Sequence, residues 1–268
     1  MATKPTLLII VPTLNSYKVL PRLIKSLKIQ SYKDWELLLV DGNSSKIHEE
    51  WIIDCCRKDL RINYIKQEDK YKGIYGAMNQ GTTYARESDW IFFWGSDDWA
   101  CSEKTFFNVM NIFNKYKKNN YKNLPHLIIG RGIYIDSING KEKRLSKFDE
   151  SKKFIKRSRY LRKIFFGETP PHQGTLIGPR ARLETPLFND KFLLTADLYF
   201  MLNLSKLKDL KVEIIKEDIV YIEDAGVSAR FMKLRIIEVI KTYFIFFKFF
   251  FFIPFFARYI RRIISKKI

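Results

Sequence analysis

Four short apolar runs alternate with segments of helical periodicity over the first 120 residues, and each run ends on polar or turn-forming residues. Thr6–Val11 closes on Pro12, Trp35–Val40 on Asp41-Gly42-Asn43-Ser44-Ser45, and Trp90–Trp94 on Gly95-Ser96-Asp97-Asp98; a shorter run covers Ile62–Ile65. Runs this apolar fit strands buried on both faces. Leu20, Leu23, Ile24 and Leu27 have the spacing of one helix face, Ile47–Leu60 and Ala77–Ala85 read as helices, and Ser102 can cap a helix reaching about Lys117. Such alternation predicts an α/β domain with a mostly parallel sheet covered by helices on both faces. Ligands bind these sheets beyond the carboxyl ends of the strands. Thr13, Asn15, Asp41 and the pair Asp97–Asp98 all fall at those ends.

The pattern loosens after about Asn120. Leu127–Ile129 and Gly132–Ile135 read as strands, Lys141–Lys163 as a basic stretch without clear period, Pro170–Gly174 as a loop, and Phe192–Leu207 as a helix carrying Asp197. A chain of 268 residues suits one large domain, 1–230, with a basic, Phe-rich tail, 231–268. The net charge of +19 favours polyanionic partners: phosphorylated substrates, anionic lipid or nucleic acid. Nearly half of the excess lies from Arg230 onward, where ten basic residues face Glu238 alone. Cys55, Cys56 and Cys101 are odd in number and suggest no disulfide framework, which points to a reducing compartment. The N-terminal apolar run is expected to be a strand, not a signal peptide.

The first strand lacks the Gly-x-Gly-x-x-Gly fingerprint of dinucleotide-binding folds, and no phosphate-cradling Walker sequence occurs. A bound nucleotide must then be held by side chains and a metal. Two adjacent carboxylates at a strand end repel unless a cation or hydrogen-bond donors compensate them. A hard divalent cation takes oxygen ligands and bridges carboxylate to diphosphate. The same Asp97–Asp98 pair also fits an ordinary helix N-terminus. The strand-end residues Thr13 and Asp41 weight the choice towards metal.

Ile9–Asn15, Leu39–Ser44, Lys72–Gly81 and Trp94–Asp98, in this order, resemble family 2 glycosyltransferases of the GT-A fold, and most of all the colanic-acid-type enzymes of bacterial polysaccharide synthesis. The likeness runs from about Thr6 to Arg230. It implies that Thr13, Asn15 and Asp41 border the base and ribose of a nucleotide-sugar, with Lys72 and Gly73 nearby. It places Asp97 near the ribose and Asp98 on a divalent metal, Mn2+ or Mg2+. His172 and Gln173 fall on the acceptor side, Asp197 matches the general base, and Gly226-Val227-Ser228 matches a segment following the last conserved strand. Similar sequences carry Asp where this chain has Tyr71 and Gly76; Asp69 lies near enough to replace the first.

Tyr243–Phe256 is apolar but for Lys248, and as a helix its 14 residues would reach about 21 Å, short of a hydrocarbon core of about 30 Å. With Pro254 interrupting it, and Lys241, Lys248, Arg258, Arg261 and Arg262 around it, the tail is expected to be an amphipathic helix on an anionic membrane surface. The whole reading is an inverting glycosyltransferase, peripheral on the cytoplasmic face of the cell membrane, acting on a saccharide or lipid-linked saccharide. Two rivals stand beside it. A nucleotidyltransferase would bring a Gly-rich phosphate loop after the first strand. A nucleic-acid-binding protein would need stacking or base-reading elements beside its charge, and no nucleic-acid partner is expected.

Overall fold

The computed structural model describes residues 5–224 and 231–265, without the side chains of 262 and 265. Gly226-Val227-Ser228 therefore lies outside the described residues. Strand β1 (Thr6–Thr13) pairs in parallel with β2 (Trp35–Asp41) and with β4 (Asp89–Phe93), and β2 pairs in parallel with β3 (Ile62–Lys66). The intervening helices are α1 (Leu20–Lys28), α2 (Lys46–Lys58) and α3 (Gly73–Thr82). All four strands point their carboxyl ends to one edge, where register sets Thr13 beside Asp41 and Asp41 beside Lys66.

Side chains alternate across this block as strand geometry demands. Leu8, Ile10, Leu38 and Val40 enter one core, and Leu7, Ile9, Val11, Leu37 and Leu39 enter the other. Helices α1 and α2 cover the second core; α3 covers the first.

The second half is mixed. Strand β5 is the pair Trp99–Ala100, β6 is Leu127–Ile135, β7 is Glu142–Ser146, β8 is Phe154–Lys156, β9 is Thr175–Ile177 and β10 is Lys211–Glu223. The sheet runs β3-β2-β1-β4-β9-β6-β10-β5, with β7 on β6 and β8 on β10. The short β9 is antiparallel to both β4 and β6, so it joins the parallel block to the rest.

The two strands expected over 127–135 are one. The stretch Lys141–Lys163 holds β7, β8 and a helix, α6 (Arg157–Phe165), whose buried Tyr160 and Ile164 are one turn apart. The helix expected from Ser102 to Lys117 divides into α4 (Thr105–Asn111) and α5 (Asn114–Lys117). Phe113, buried edge-on against Trp90 at 4.8 Å, lies at the break. The Ser102 hydroxyl accepts from the Lys104 amide instead of capping. A short helix, α7 (Pro179–Glu184), precedes α8 (Ala196–Leu204), which starts later than the apolar run suggests and so carries Asp197 in its first turn.

The tail forms two helices, α9 (Met232–Phe247) and α10 (Phe252–Ser265), joined at Lys248–Phe250. The interruption falls at Lys248, whose φ is +50°, and not at Pro254. Pro254 sits in the first turn of α10, where its missing N–H has no intrahelical partner to lose. Lys241 and Lys248 consequently do not share one helix face. Val239 and Tyr243 of α9 are buried in the core that α3 covers, together with Ala196 and Phe200 of α8. Phe246 packs edge-on against Tyr199 at 5.3 Å, and Phe247 against Phe165 at 5.1 Å. Among the described residues, no helix is long and apolar enough to cross a membrane.

Candidate active site

Two turns are pinned to each other at the ends of β1 and β2. The Asp41 carboxylate accepts from the Thr13 hydroxyl at 3.1 Å, from the Ser44 amide at 2.9 Å and from the Ser44 hydroxyl. The buried imidazole of His48 has its Nε2 3.3 Å from Asp41 Oδ1. Burial lowers the His48 pKa, against the upward pull of Asp41. Asn15, at a left-handed φ of +50°, donates its amide to the Ser44 hydroxyl at 2.8 Å, and its side-chain oxygen accepts from the Ser45 amide at 2.9 Å. Asp41 is thus filled by protein donors, and what it presents outward is the Gly42–Asn43 turn. His48 is a site residue that the sequence reading missed; a histidine on an amphipathic helix gives no signal of what lies beneath it.

That turn forms one wall of a cleft of about 370 Å³. Asp69, Tyr71, Lys72 and Gly73 face it. Gln67 holds this opposite wall by donating to the carbonyls of Tyr71 and Gly73 at 2.8 and 2.9 Å. A Cβ placed on Gly76 would lie 2.7 Å from the carbonyl carbon of Tyr71. The backbone of the Tyr71 turn occupies the space a side chain at 76 would need, which accounts for glycine at that position. A larger cavity, about 440 Å³, lies among Asn108, Ile112, Lys152 and Lys216, and none of the motif residues lines it.

At the end of β4 the chain folds back on itself. The Asp98 carboxylate is buried and accepts from the Gly95 amide at 2.5 Å. A Cβ at Gly95 would lie 2.7 Å from Asp97 Oδ1 and 3.2 Å from Asp98 Oδ2, so both carboxylates converge over this glycine. Burial, and then the neighbouring Asp97 charge, push the Asp98 pKa well above the usual carboxylate value; burial raises that of Asp97 too. Arg22 donates to the Asp97 carbonyl at 2.9 Å and pairs with Glu223 at 2.5 Å, while its guanidinium stacks on Trp99 at 3.6 Å. Two convergent, desolvated carboxylates have the chemistry of a hard-cation site. Arg22 and Glu223 gave no signal in the sequence, because both come from outside the strand-end motifs.

On the far side of β4, Trp94 donates its indole N–H to the Gln173 carbonyl at 2.9 Å and ties down the 170–174 loop. His172 stacks on Phe93 with ring centroids 5.9 Å apart and meets Phe188 edge-on at 5.5 Å. Among the described residues neither of its ring nitrogens has a hydrogen-bond partner, although both are buried. Burial lowers its pKa, opposed by the charge of Asp197. Asn79 fixes Phe188 by bonding both its carbonyl, at 2.8 Å, and its amide, at 3.1 Å. Tyr75 donates to the Asp197 carboxylate at 3.2 Å and packs on Phe188 at 5.2 Å. The Lys-Gly-Ile-Tyr segment therefore touches both the cleft and the Asp197 helix. Asp197 in the first turn of α8 has the helix dipole behind it.

A second group of potential metal ligands, His126, Glu184 and Asp209, lies elsewhere. His126 Nδ1 accepts from the Lys211 amide at 3.1 Å, so the neutral ring carries its proton on Nε2 and has no lone pair to offer there. Arg180 ties Glu184 and Asp209 at 3.0 and 2.7 Å. This is a salt-bridged cluster, not a metal site.

The chain is 34% identical over 113 residues to the PGL/p-HBAD biosynthesis glycosyltransferase of Mycobacterium tuberculosis, a match covering 42% of this chain and 43% of that protein. It is 29% identical over 181 residues to the GalNAc(5)-diNAcBac-PP-undecaprenol beta-1,3-glucosyltransferase of Campylobacter jejuni, covering 64% of this chain and 58% of the relative. The chain thus spans about half the length of these relatives. Residues 1–349 of TarS from Staphylococcus aureus, solved with UDP-GlcNAc, superpose with a TM-score of 0.64 at 17% identity, over 88% of this chain and 66% of that one. The mannosyltransferase PcManGT of Pyrobaculum calidifontis, solved with GDP-Man and Mn2+, gives 0.56 at 12% identity, over 97% of this chain and 65% of that one. These likenesses show the shared fold, a mixed α/β sheet with a parallel central block. The model of Glycosyl transferase family 2 matches residues 8–175, which hold most of β1, β2 to β4, the cleft and the Asp97–Asp98 pair, and the chain belongs to that family.

Proposed function

We propose that the chain is an inverting, metal-dependent glycosyltransferase that moves a sugar from a nucleotide-sugar to a lipid-linked saccharide in surface polysaccharide or glycan synthesis. The observation that carries this reading is the convergence of Asp97 and Asp98 over Gly95 at the same sheet edge as the Gly42–Gly73 cleft. The cleft is the place for the base and ribose, bounded by the turns that Thr13, Asn15 and Asp41 hold, with Lys72 and Gly73 opposite. Asp98, with Asp97 beside it, would hold Mn2+ or Mg2+, which when bound neutralises a departing diphosphate. The acceptor hydroxyl attacks the anomeric carbon opposite the leaving group; Asp197 takes its proton, and the broken bond leaves its electron pair on the diphosphate. One direct displacement inverts the anomeric centre. His172 and Gln173 belong to the acceptor side. The named activity of the Campylobacter relative, on a PP-undecaprenol-linked saccharide, supports the acceptor class.

The tail supports placement on the cytoplasmic face of the cell membrane. Phe231, Ile237, Phe249, Phe250, Phe256 and Ile263 are exposed, and Lys233, Lys241, Lys248 and Arg261 are exposed among them. An apolar surface interleaved with cations fits an anionic bilayer.

A panel of nucleoside diphosphates, with and without Mn2+, tests the reading by protection against thermal unfolding, followed by a screen of nucleotide-sugars for transfer. Metal-dependent protection by one diphosphate is the expected result. Protection by oligonucleotides instead would favour the nucleic-acid-binding alternative.

A further inference from the structure

Glu238 is the one acid of the basic tail, and it is 5% exposed on the inner face of α9. Its two carboxylate oxygens are spent on the segment leading into Asp197. Oε1 accepts from the Leu193 amide at 2.8 Å. Oε2 accepts from the Leu194 amide at 2.9 Å and from the Thr195 hydroxyl at 3.2 Å. Three donors just before a helix start are thereby satisfied, and a buried carboxylate is tolerable only when so paired. Thr195 is the residue that opens α8, and Asp197 lies in the first turn after it.

We propose that Glu238 is a positioning residue for the reaction: the C-terminal hairpin holds the turn from which Asp197 reaches the acceptor. This rests on the reading of Asp197 as the base. The hairpin also reaches the acceptor loop from its second helix. Arg258 of α10 donates to the Thr169 hydroxyl at 3.0 Å, three residues before His172, and Arg261 donates to the Phe166 carbonyl at 2.7 Å. Binding to a membrane and aligning the base are thereby tasks of one element. The hairpin is not an anchor that can be cut away from a finished catalytic domain.

The neutral isostere discriminates sharply. In Glu238→Gln, one of the two oxygens that meet amide donors becomes an NH2 group, which faces N–H with N–H. One bond is lost and the Leu193–Thr195 turn shifts, with little change in volume. A displacement of about 1 Å at a reacting group costs on the order of 10²-fold. The test uses the full chain and the nucleotide-sugar found active in the screen. Supporting results are a 10–100-fold fall in kcat with nucleoside diphosphate affinity and acceptor KM nearly unchanged, and partial recovery in Glu238→Asp, which restores two acceptor oxygens on a shorter arm. Near-normal kcat in Glu238→Gln, beside an inactive Asp197→Asn, overturns the positioning role while leaving the base reading intact. Normal turnover in Asp197→Asn removes the base reading and this proposal with it. Should the Gln variant fail to fold, hydrogen exchange on the unaltered protein decides: the Leu193 and Leu194 amides must be protected, and rapid exchange at both overturns the contact itself.

Discussion

The hydroxyl of Tyr75 donates to the carboxylate of Asp197 at 3.2 Å, across 122 positions of sequence. Tyr75 stands in the first turn of α3, whose preceding loop walls the cleft beside Gly42 and Asn43, and Asp197 stands in the first turn of α8. Burial, then the charge of Asp197, raise the Tyr75 pKa well above that of a free phenol, so the hydroxyl stays a donor. One hydrogen bond thus joins the proposed donor side to the proposed base.

Removing the proposed base should leave binding intact. Asp197→Asn is nearly isosteric, keeps the α8 turn and is expected to lower turnover by about 10²–10⁴-fold while the protein still binds its nucleoside diphosphate. Tyr75→Phe loses the orienting hydrogen bond alone and should cost far less. Steady-state kinetics of both variants checks the order; near-normal turnover in Asp197→Asn would move the role elsewhere.

Asp98→Ala should abolish the Mn2+-dependent part of nucleoside diphosphate affinity. It also relieves the repulsion between a buried carboxylate and its neighbour Asp97, so thermal stability without ligand should hold or rise. Calorimetric titration with and without Mn2+ reads the first effect and a melting curve the second. Unchanged metal-dependent affinity would exclude Asp98 as the ligand.

Gly76 should resist any side chain, charged or not. In a helix, Ala is favoured over Gly by about 1 kcal/mol. Here the new carbon meets Tyr71 backbone at 2.7 Å, which no rotamer relieves. Overpacking costs typically about 1–3 kcal/mol. Gly76→Ala and Gly76→Asp are both expected to destabilise and to weaken nucleotide binding. A stabilised Gly76→Ala, seen by urea unfolding, would show that the cleft wall is free to move.

Asp149 sets an acid limit. It is 3% exposed and pairs with Arg159 and with Lys163 at 3.2 Å. Burial pulls its pKa up, but hydrogen bonds from Arg159, Ser151 and Lys163 outweigh this and hold it below the usual carboxylate range. A folded-state pKa below the unfolded value contributes stability that is present above pH of about 4 and is lost as pH falls through the folded value. Asp149→Asn should cost about 3–5 kcal/mol at neutral pH, the range for breaking a buried pair, and should flatten the acid side of the stability curve. Melting curves from pH 7 down to pH 3 provide the check.

The exposed phenylalanines of the hairpin should carry membrane binding. Replacing Phe249, Phe250 and Phe256 by Ser is expected to release the protein from vesicles containing phosphatidylglycerol. Raised salt alone should only loosen it, because each cation contributes about 1 kcal/mol that screening removes whereas apolar burial is insensitive to salt. Co-sedimentation separates the two terms, and unaltered binding of the triple variant would point to another surface.

The parallel block and its strand-end groups could be read from the sequence because both depend on local order. Buried strands are continuous apolar runs, and register follows once neighbours are parallel, so Thr13, Asp41 and the Asp97–Asp98 pair arrive at one edge. The family resemblance rests on those same local segments. Other features needed tertiary contact. No periodicity could show that the Tyr71 backbone fills the space beside Gly76, that His48 lies under Asp41, or that Arg22 and Glu223 flank Asp97. The tail illustrates the boundary best. Its aromatic and basic composition was plain in the sequence, as was the oddity of one glutamate among ten cations. That this glutamate turns inward to hold the approach to Asp197 was decided by packing, since a hydrogen bond spanning more than 40 residues depends on where the core brings two helices together.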